Sequence, residues 1–232
     1  MATITPRESL DRQVQDLLDQ ILVLSSMVEK ATLDAVNAIK QQKPDQAKKI
    51  YQADKLINQK RFEIETACLT LIATQQPMAR DLRVTASVLE IAAELERMGD
   101  YAKGNARICV MLTWTPPPSI VADLIQMAEI AAFMLHRAIS AFISADAETA
   151  RAIPADDDQV DRLYNRINQN LFEDIKKDPS LIDQTNLIIW AAHNLERMAD
   201  RVTNICERTI YVATGEIREL DVSDDELELL TR

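Results

Sequence analysis

The sequence predicts an all-α protein of six long helices, arranged as two tandem three-helix bundles related by an internal pseudo-two-fold repeat. Only 3 of the 232 residues are Gly and 4% are aromatic, within a hydrophobic content of 47%, a composition that favours helices over strands. Prolines divide the chain into long segments. The motif LERMGD at residues 95–100 returns as LERMAD at residues 195–200, at an offset of 100 (195 − 95). These three observations together predict the duplicated helical architecture.

The prolines give the order of the elements, because proline is tolerated at a helix start and breaks a helix interior. The breaks fall at Pro6, Pro44, Pro77, 116–118, Pro154 and Pro179. They leave candidate helices at about 7–42, 45–75, 78–113, 119–147, 155–177 and 180–213. We therefore expect a first bundle over residues 1–115, a second over 119–214 and an acidic tail over 215–232. The two bundles are either separate stable domains or one elongated body.

Composition narrows the class of function. Lys and Arg number 26 against 37 Asp and Glu, which gives a net charge of −11. Nucleic-acid binding depends on clustered basic residues, so we expect no nucleic-acid partner. The first residues lack the pattern of a secretory signal, and no apolar run approaches the ~20 residues of a membrane span. We expect a cytoplasmic protein that does not insert into a membrane.

Known catalytic motifs are missing from the sequence. It contains no Gly-rich phosphate loop, no G-x-S-x-G turn and no H-E-x-x-H motif, which favours a binding or regulatory protein over an enzyme. The odd set Cys68, Cys109 and Cys206 has no C-x-x-C spacing, so we expect three buried thiols and neither a disulfide framework nor a zinc site.

The repeated motif carries the candidate site. Glu96 with Asp100, and Glu196 with Asp200, place two carboxylates one helical turn apart and roughly 140° around the helix from its apolar seam. The middle helices repeat this i, i+4 spacing with Asp54 and Asn58 in the first bundle and with Asp157 and Asp161 in the second. One cation could bind between the two helices of each bundle. Carboxylate ligands suit Mg²⁺, Mn²⁺, Ca²⁺ or Fe and do not identify the metal.

The two copies differ in how readily a cation would bind. Lys103 is three residues from Asp100 and could form a surface ion pair with it, whereas the second copy has Thr203 and Asn204 beyond Asp200, and Glu207 adds a carboxylate there. The second site is therefore the stronger candidate. Two alternatives stay open: a structural scaffold whose acidic faces are only solvated, and a metal-dependent phosphohydrolase that uses the carboxylates with metal-activated water.

Two stretches of the sequence resemble the PhoU family. They are QQPMARDLRVTASVLEIAAELERMGDYAKGNA at residues 75–106 and LERMADRVTNICE at residues 195–207. The resemblance implies multinuclear sites for divalent or trivalent metal ions, with Fe, Zn, Mn and Mg as candidates, on the surfaces of two three-helix bundles. Carried over by position, the ligands are Glu96, Asp100, Glu196, Asp200, Asp54, Asp157 and Asp161. Asn58 departs from the acidic pattern and leaves the first site one negative charge short.

The same resemblance implies a regulator of phosphate uptake and of the phosphate-starvation response. Such a protein would couple the ATPase subunit of a phosphate ABC transporter to a sensor histidine kinase at the inner face of the membrane, through protein contacts alone. It would keep the starvation response off when phosphate is plentiful. We also expect a homodimer, since tandem bundles with spare apolar surface often dimerise.

Overall fold

A computed structural model of the chain describes residues 5–217 and 219–220. Six long helices account for most of this part: α1 Pro6–Gln41, α2 Pro44–Gln75, α3 Arg80–Met111, α4 Pro118–Ser144, α6 Asp157–Lys177 and α7 Ile182–Thr214. A short helix α5, Ala147–Ala152, and 3-10 turns at Pro154–Asp156 and Pro179–Leu181 lie between them. No strand occurs in the described ranges, as the sequence predicts. Most of the predicted acidic tail, including residues 221–232, lies outside them.

Helix ends follow the local sequence. α1, α2 and α4 each begin with a proline, whose missing N–H needs no partner at that position. At the start of α1, Thr5 and Glu8 form a capping box, because the backbone N–H of each residue donates to the side chain of the other, over 2.8 and 3.2 Å. At the end of α7, Gly215 takes the left-handed conformation with φ +83°.

The segment between α4 and α6 differs from the prediction. A single helix was expected to run to about residue 147, but α4 ends at Ser144 and Ala145 turns into the left-handed region at φ 52°. Asp146 then caps a new helix, α5, because its Oδ1 accepts hydrogen bonds from the backbone N–H groups of Glu148 and Thr149 at 3.0 Å. The Asp146 cap therefore begins a separate helix, and the spacing of the prolines does not predict this break.

The helices pack as two bundles over a continuous core. α1, α2 and α3 contact one another, as do α4, α6 and α7, while α3 also packs along α7 and α1 along α4. The buried hydrophobic residues form one cluster that includes members of both bundles. The predicted seam of α3 is confirmed, since Val84, Val88, Ile91, Leu95, Met98, Ala102 and Cys109 are buried; Leu112 is half-buried. The predicted seam of α7 is buried too, at Ile188, Ala191, Leu195, Val202 and Cys206.

α4 is the most apolar helix. Among the described residues it alone is long and apolar enough to cross a membrane, judged by length and composition. Half of its most apolar 18-residue stretch is buried inside the protein. This is weak support for a span, because the core helix of a bundle passes the same test. The buried Asp123 of α4 accepts hydrogen bonds at 2.9 and 2.5 Å from Arg166 of α6, which ties α4 into its bundle.

The three cysteines are free and buried, as expected. Burial raises the pKa of the Cys68 thiol to about 12, and that of the Cys206 thiol to about 12. These groups therefore behave as small apolar side chains and not as thiolate nucleophiles.

Candidate functional site

α3 and α7 run antiparallel, and the two repeated motifs lie along their contact. Polar pairs follow this contact in reverse order along the two helices: Glu90 with Arg208, Glu94 with Arg201, and Asn105 with Asn194. The motifs at 95–100 and 195–200 lie between the outermost of these pairs. Because the apolar seams face the core, the motif carboxylates lie on other faces of α3 and α7, where α2 and α6 can contribute ligands.

Gly99 explains the small residue inside the first motif. A Cβ atom added there would lie 3.0 Å from Cγ2 and 3.2 Å from Cδ1 of Ile57, which is closer than ordinary van der Waals contact. The same atom would lie 3.8 Å from Asp54 Oδ1. Glycine therefore allows α2 to approach α3 closely, and this close approach brings Asp54 next to the first motif.

We call Asp54, Glu96 and Asp100 the first carboxylate set. Asp54 is 5% exposed, and its Oδ2 accepts hydrogen bonds from Lys103 Nζ at 2.7 Å and from Asn58 Nδ2 at 3.0 Å. Its other oxygen, Oδ1, is buried and accepts no hydrogen bond. Lys103 Nζ also lies 3.5 Å from Asp100 Oδ1. An ammonium group thus stands between two of the three carboxylates.

The third member of the set, Glu96, is half-buried. Its pKa is raised, first because burial disfavours the charged form and then because Asp100 and Asp54 are negatively charged. Arg61 on α2 opposes this rise, since its positive charge favours the ionised carboxylate. Both α2 and α3 therefore bring a cation to the first set, Arg61 and Lys103.

We call Asp157, Asp161, Glu196 and Asp200 the second carboxylate set. The pKa of Glu196 is raised to about 7, first by burial and then by the negative charges of Asp200 and Asp161, against the lowering effect of Arg197. Arg197 Nη1 donates to Asp200 Oδ2 at 3.0 Å. Carboxylates from α6 and α7 are thus close enough to perturb one another, a common property of functional sites.

Histidine and two aromatic side chains border the second set. His193 Nδ1 lies 3.3 Å from Glu196 Oε2. The imidazole ring centroid lies 6.2 Å from that of Tyr164 on α6 and 6.0 Å from that of Trp190, which meets it edge-on. The sequence order of His193 and Glu196 excludes a ferritin-type Glu-x-x-His motif, and Glu196 Oε2 is buried without accepting a hydrogen bond from the nearby imidazole.

The two carboxylate sets differ in how well they suit a metal ion. Within residues 5–217 and 219–220, no three Asp, Glu, His or Cys side chains are grouped closely enough to form a ready-made metal site. The second set has a donor chemistry that fits a hard or borderline cation, four carboxylates from two helices. In the first set the ammonium of Lys103 already pairs with Asp54 and lies 3.5 Å from Asp100. The seven ligand assignments stay a prediction.

The sequence did not predict two features of the site. Lys103 was expected to pair with Asp100, but its shorter contact is with Asp54, because the close approach at Gly99 brings α2 within reach. Glu207 was expected to extend the second set, whereas its Oε1 accepts a hydrogen bond from the backbone N–H of Leu220 at 3.0 Å.

Known proteins share this architecture. A family model described as the PhoU domain matches the chain twice, at residues 21–109 and 124–209. A "Phosphate-specific transport system accessory protein PhoU homolog" of Clostridium acetobutylicum is 32% identical over 219 residues, which cover 94% of this chain and 99% of that protein. The "Phosphate-specific transport system accessory protein PhoU" of Escherichia coli is 31% identical over 218 residues, covering 94% of this chain and 90% of that one.

Solved structures agree with the fold. The crystal structure of a phosphate transport system regulatory protein PhoU from Streptococcus pneumoniae superposes with a TM-score of 0.83 at 30% identity, over 90% of this chain and 99% of that one. PhoU from Pseudomonas aeruginosa gives a TM-score of 0.82 at 31% identity, over 89% and 99% of the two chains. The family model matches both three-helix repeats, and relatives align over nearly the whole chain, so this protein belongs to the PhoU family.

Proposed function

We propose that this chain is a non-enzymatic regulator of phosphate uptake and of the phosphate-starvation response. The observation that carries the proposal is the extent of the match: relatives described as accessory proteins of the phosphate-specific transport system align over 94% of the chain, including both repeats. The S. pneumoniae protein, whose fold matches with a TM-score of 0.83, is described as a regulatory protein. This description supports a role in regulation rather than catalysis.

The partners we propose are the ATPase subunit of a phosphate ABC transporter and a sensor histidine kinase. The chain would act as a cytoplasmic adaptor, held near the inner face of the membrane by these partners. The charge of −11 and the exposed apolar side chains at several helix surfaces, such as Phe62, Phe133 and Trp190, suit contacts with proteins more than with anionic lipid or nucleic acid. A homodimer stays part of this proposal.

The second carboxylate set is the proposed metal centre of the regulator. Asp157, Asp161, Glu196 and Asp200 would supply carboxylate oxygens to a divalent or trivalent cation, and the cation would offset the burial and the repulsion that raise the pKa of Glu196. Arg197 would have to release Asp200 Oδ2 for that oxygen to ligate the metal. A bound metal would then hold α6 and α7 together.

A reporter assay tests the regulatory role. In a host that lacks its own PhoU protein and therefore expresses its phosphate-starvation genes constitutively, the chain together with its cognate transporter and kinase should restore repression in high phosphate. Full expression of the reporter despite normal protein levels would contradict the proposal. Capture of the tagged chain from phosphate-replete cells, followed by mass spectrometry, should recover the ATPase subunit and the kinase.

Metal binding and catalysis need their own measurements. Equilibrium dialysis with Mn²⁺ should show binding that Glu196→Gln/Asp200→Asn removes, while Glu173→Gln, an exposed change on α6, leaves it intact. Unchanged stoichiometry in the double variant would remove the second set as the metal centre and favour the scaffold alternative. Turnover of simple phosphate esters in the presence of Mn²⁺, abolished by the same double variant, would replace the regulator with the phosphohydrolase alternative.

A further inference from the structure

The ammonium group of Lys103 is held from three sides in the first bundle. It donates to Asp54 Oδ2 at 2.7 Å, lies 3.5 Å from Asp100 Oδ1, and lies 5.5 Å from the ring centroid of Tyr51. Asp54 and Tyr51 belong to α2, whereas Lys103 and Asp100 belong to α3. A single positive charge therefore bridges the same two helices whose carboxylates were predicted to share a metal ion.

Comparison of the repeats shows that this arrangement is specific to the first bundle. The motif helices align at an offset of 100 and the middle helices at 103, the separation of Asp54 from Asp157. At these offsets the second bundle has Thr203 for Lys103, Asp161 for Asn58, Tyr164 for Arg61 and Pro154 for Tyr51. The first bundle therefore has one carboxylate fewer than the second, because of Asn58. It has two additional cations, Lys103 and Arg61, and the aromatic ring of Tyr51 lies next to Lys103.

Burial makes this ammonium hard to replace. Asp54 is 5% exposed and Lys103 supplies the short, charge-assisted hydrogen bond to its Oδ2, and a buried carboxylate needs such a partner. A metal ion ligated by Asp54 Oδ2 and Asp100 Oδ1 would have to displace Lys103 Nζ, and one ligated by Asp54 Oδ1 would bind beside the ammonium. Because Lys103 is tethered to α3, its charge would stay within a few ångströms and repel the metal.

We propose that Lys103 is a built-in cation that takes the place of a metal ion in the first bundle, so that metal binding by this chain is confined to the second carboxylate set. The statement about the second set rests on the function proposed above. The statement about Lys103 does not, since it concerns the first bundle alone. The first bundle would then keep its polar contact between α2 and α3 whether or not metal is available.

Transplanting the second-bundle residues tests the proposal. Lys103→Thr/Asn58→Asp gives the first bundle four carboxylates and removes the ammonium, and it should bind additional Mn²⁺ in equilibrium dialysis, about one equivalent or more per chain above the unaltered protein. Adding Asp100→Asn to this variant should remove the gain. No gain in a variant whose helical circular dichroism and cooperative melt are intact would overturn the proposal.

The same experiment separates this inference from the proposed metal centre. If the unaltered protein binds no Mn²⁺ but the transplanted variant does, the second set fails as a metal site and the role of Lys103 stands. If the Glu96→Gln/Asp100→Asn variant binds less Mn²⁺ than the unaltered protein, the first bundle holds metal and the proposal is wrong.

Chemical labelling of the unaltered protein gives a test that needs no variant. Lys103, whose side chain is 30% exposed, should react with an amine-acylating reagent several-fold more slowly than Lys30, which is 76% exposed and pairs with Asp34. The Lys103 rate, followed by peptide mass spectrometry, should be the same with and without Mn²⁺. A rate for Lys103 that rises when Mn²⁺ is added would mean that metal displaces the ammonium, and would overturn the proposal.

Discussion

Glu94 of α3 and Arg201 of α7 join the two bundles, with Arg201 Nη1 3.2 Å from Glu94 Oε2. Asn204 donates to the same oxygen at 3.3 Å, and Arg97 pairs with the other oxygen of Glu94. One carboxylate at the α3–α7 contact thus accepts hydrogen bonds from both helices. Its side chain is 13% exposed, whereas Glu90, which pairs with Arg208 along the same contact, is 55% exposed.

Glu94→Ala should therefore cost stability and Glu90→Ala should cost little. Removing the Glu94 carboxylate leaves Arg201 without its anionic partner in a partly buried position, at a cost of about 1–3 kcal/mol. The exposed Glu90 pair contributes less than about 1 kcal/mol. Urea unfolding of the two variants at pH 7 measures both values, and equal losses would contradict this account of the contact.

Glu196→Gln should stabilise the metal-free protein at neutral and higher pH. The pKa of Glu196 is raised from 4.5 to about 7, so between these values the folded state holds a proton that the unfolded state has lost, and stability falls as the pH rises through this window. The uncharged amide removes that penalty, which is worth about 1–3 kcal/mol at pH 8. Below pH 4 the carboxyl is protonated in both states and the gain should vanish.

Unfolding in the presence of a chelator at pH 4 and pH 8 checks this sign. Glu173→Gln is the matched control on α6, because a hydrogen bond from Lys176 lowers the pKa of that exposed carboxyl. It should give no stabilisation at pH 8. A Glu196 variant that is no more stable than the unaltered protein at pH 8 would show that this carboxylate is ionised without penalty.

Gly99→Ala tests the close approach of α2 and α3. Alanine is the better helix former by about 0.5–1 kcal/mol, but its methyl would lie 3.0 Å from Cγ2 of Ile57, and overpacking costs about 1–3 kcal/mol. We expect a net loss of stability in the unaltered background and a gain in the Ile57→Ala background, where the crowded atoms are absent. A double-mutant cycle without coupling would mean that Gly99 has another purpose.

Ala79→Gly should stabilise the turn before α3. Ala79 has φ 48° and ψ −113°, a conformation that glycine adopts readily and alanine does not. Relief of about 1–3 kcal/mol of backbone strain should exceed the extra entropy of glycine in the unfolded chain. Ala73→Gly in the exposed last part of α2 is the control and should lose about 0.5–1 kcal/mol. Thermal melts of the two variants should shift in opposite directions.

The sequence was most informative where one residue type has one physical consequence. Prolines marked the helix starts at Pro6, Pro44 and Pro118, and the apolar spacing identified the seams of α3 and α7. Features that depend on two distant residues were harder to foresee. The burial of Asp54 depends on how closely α2 approaches Gly99, and periodicity along one helix contains no such distance. The restart of the chain at α5 depends on one cap, Asp146, in a segment without proline.

The antiparallel pairing of α3 and α7 resembles the isologous contact of a symmetric dimer, here made within one polypeptide. In a dimer of identical subunits every substitution occurs twice, once on each side of the axis. Fusion of the two copies removes that constraint, so Tyr101 can face Arg201 and Gly104 can leave room for Asn194. Each half is thus free to carry residues that the other lacks, as Lys103 does where the aligned residue of the second copy is Thr203.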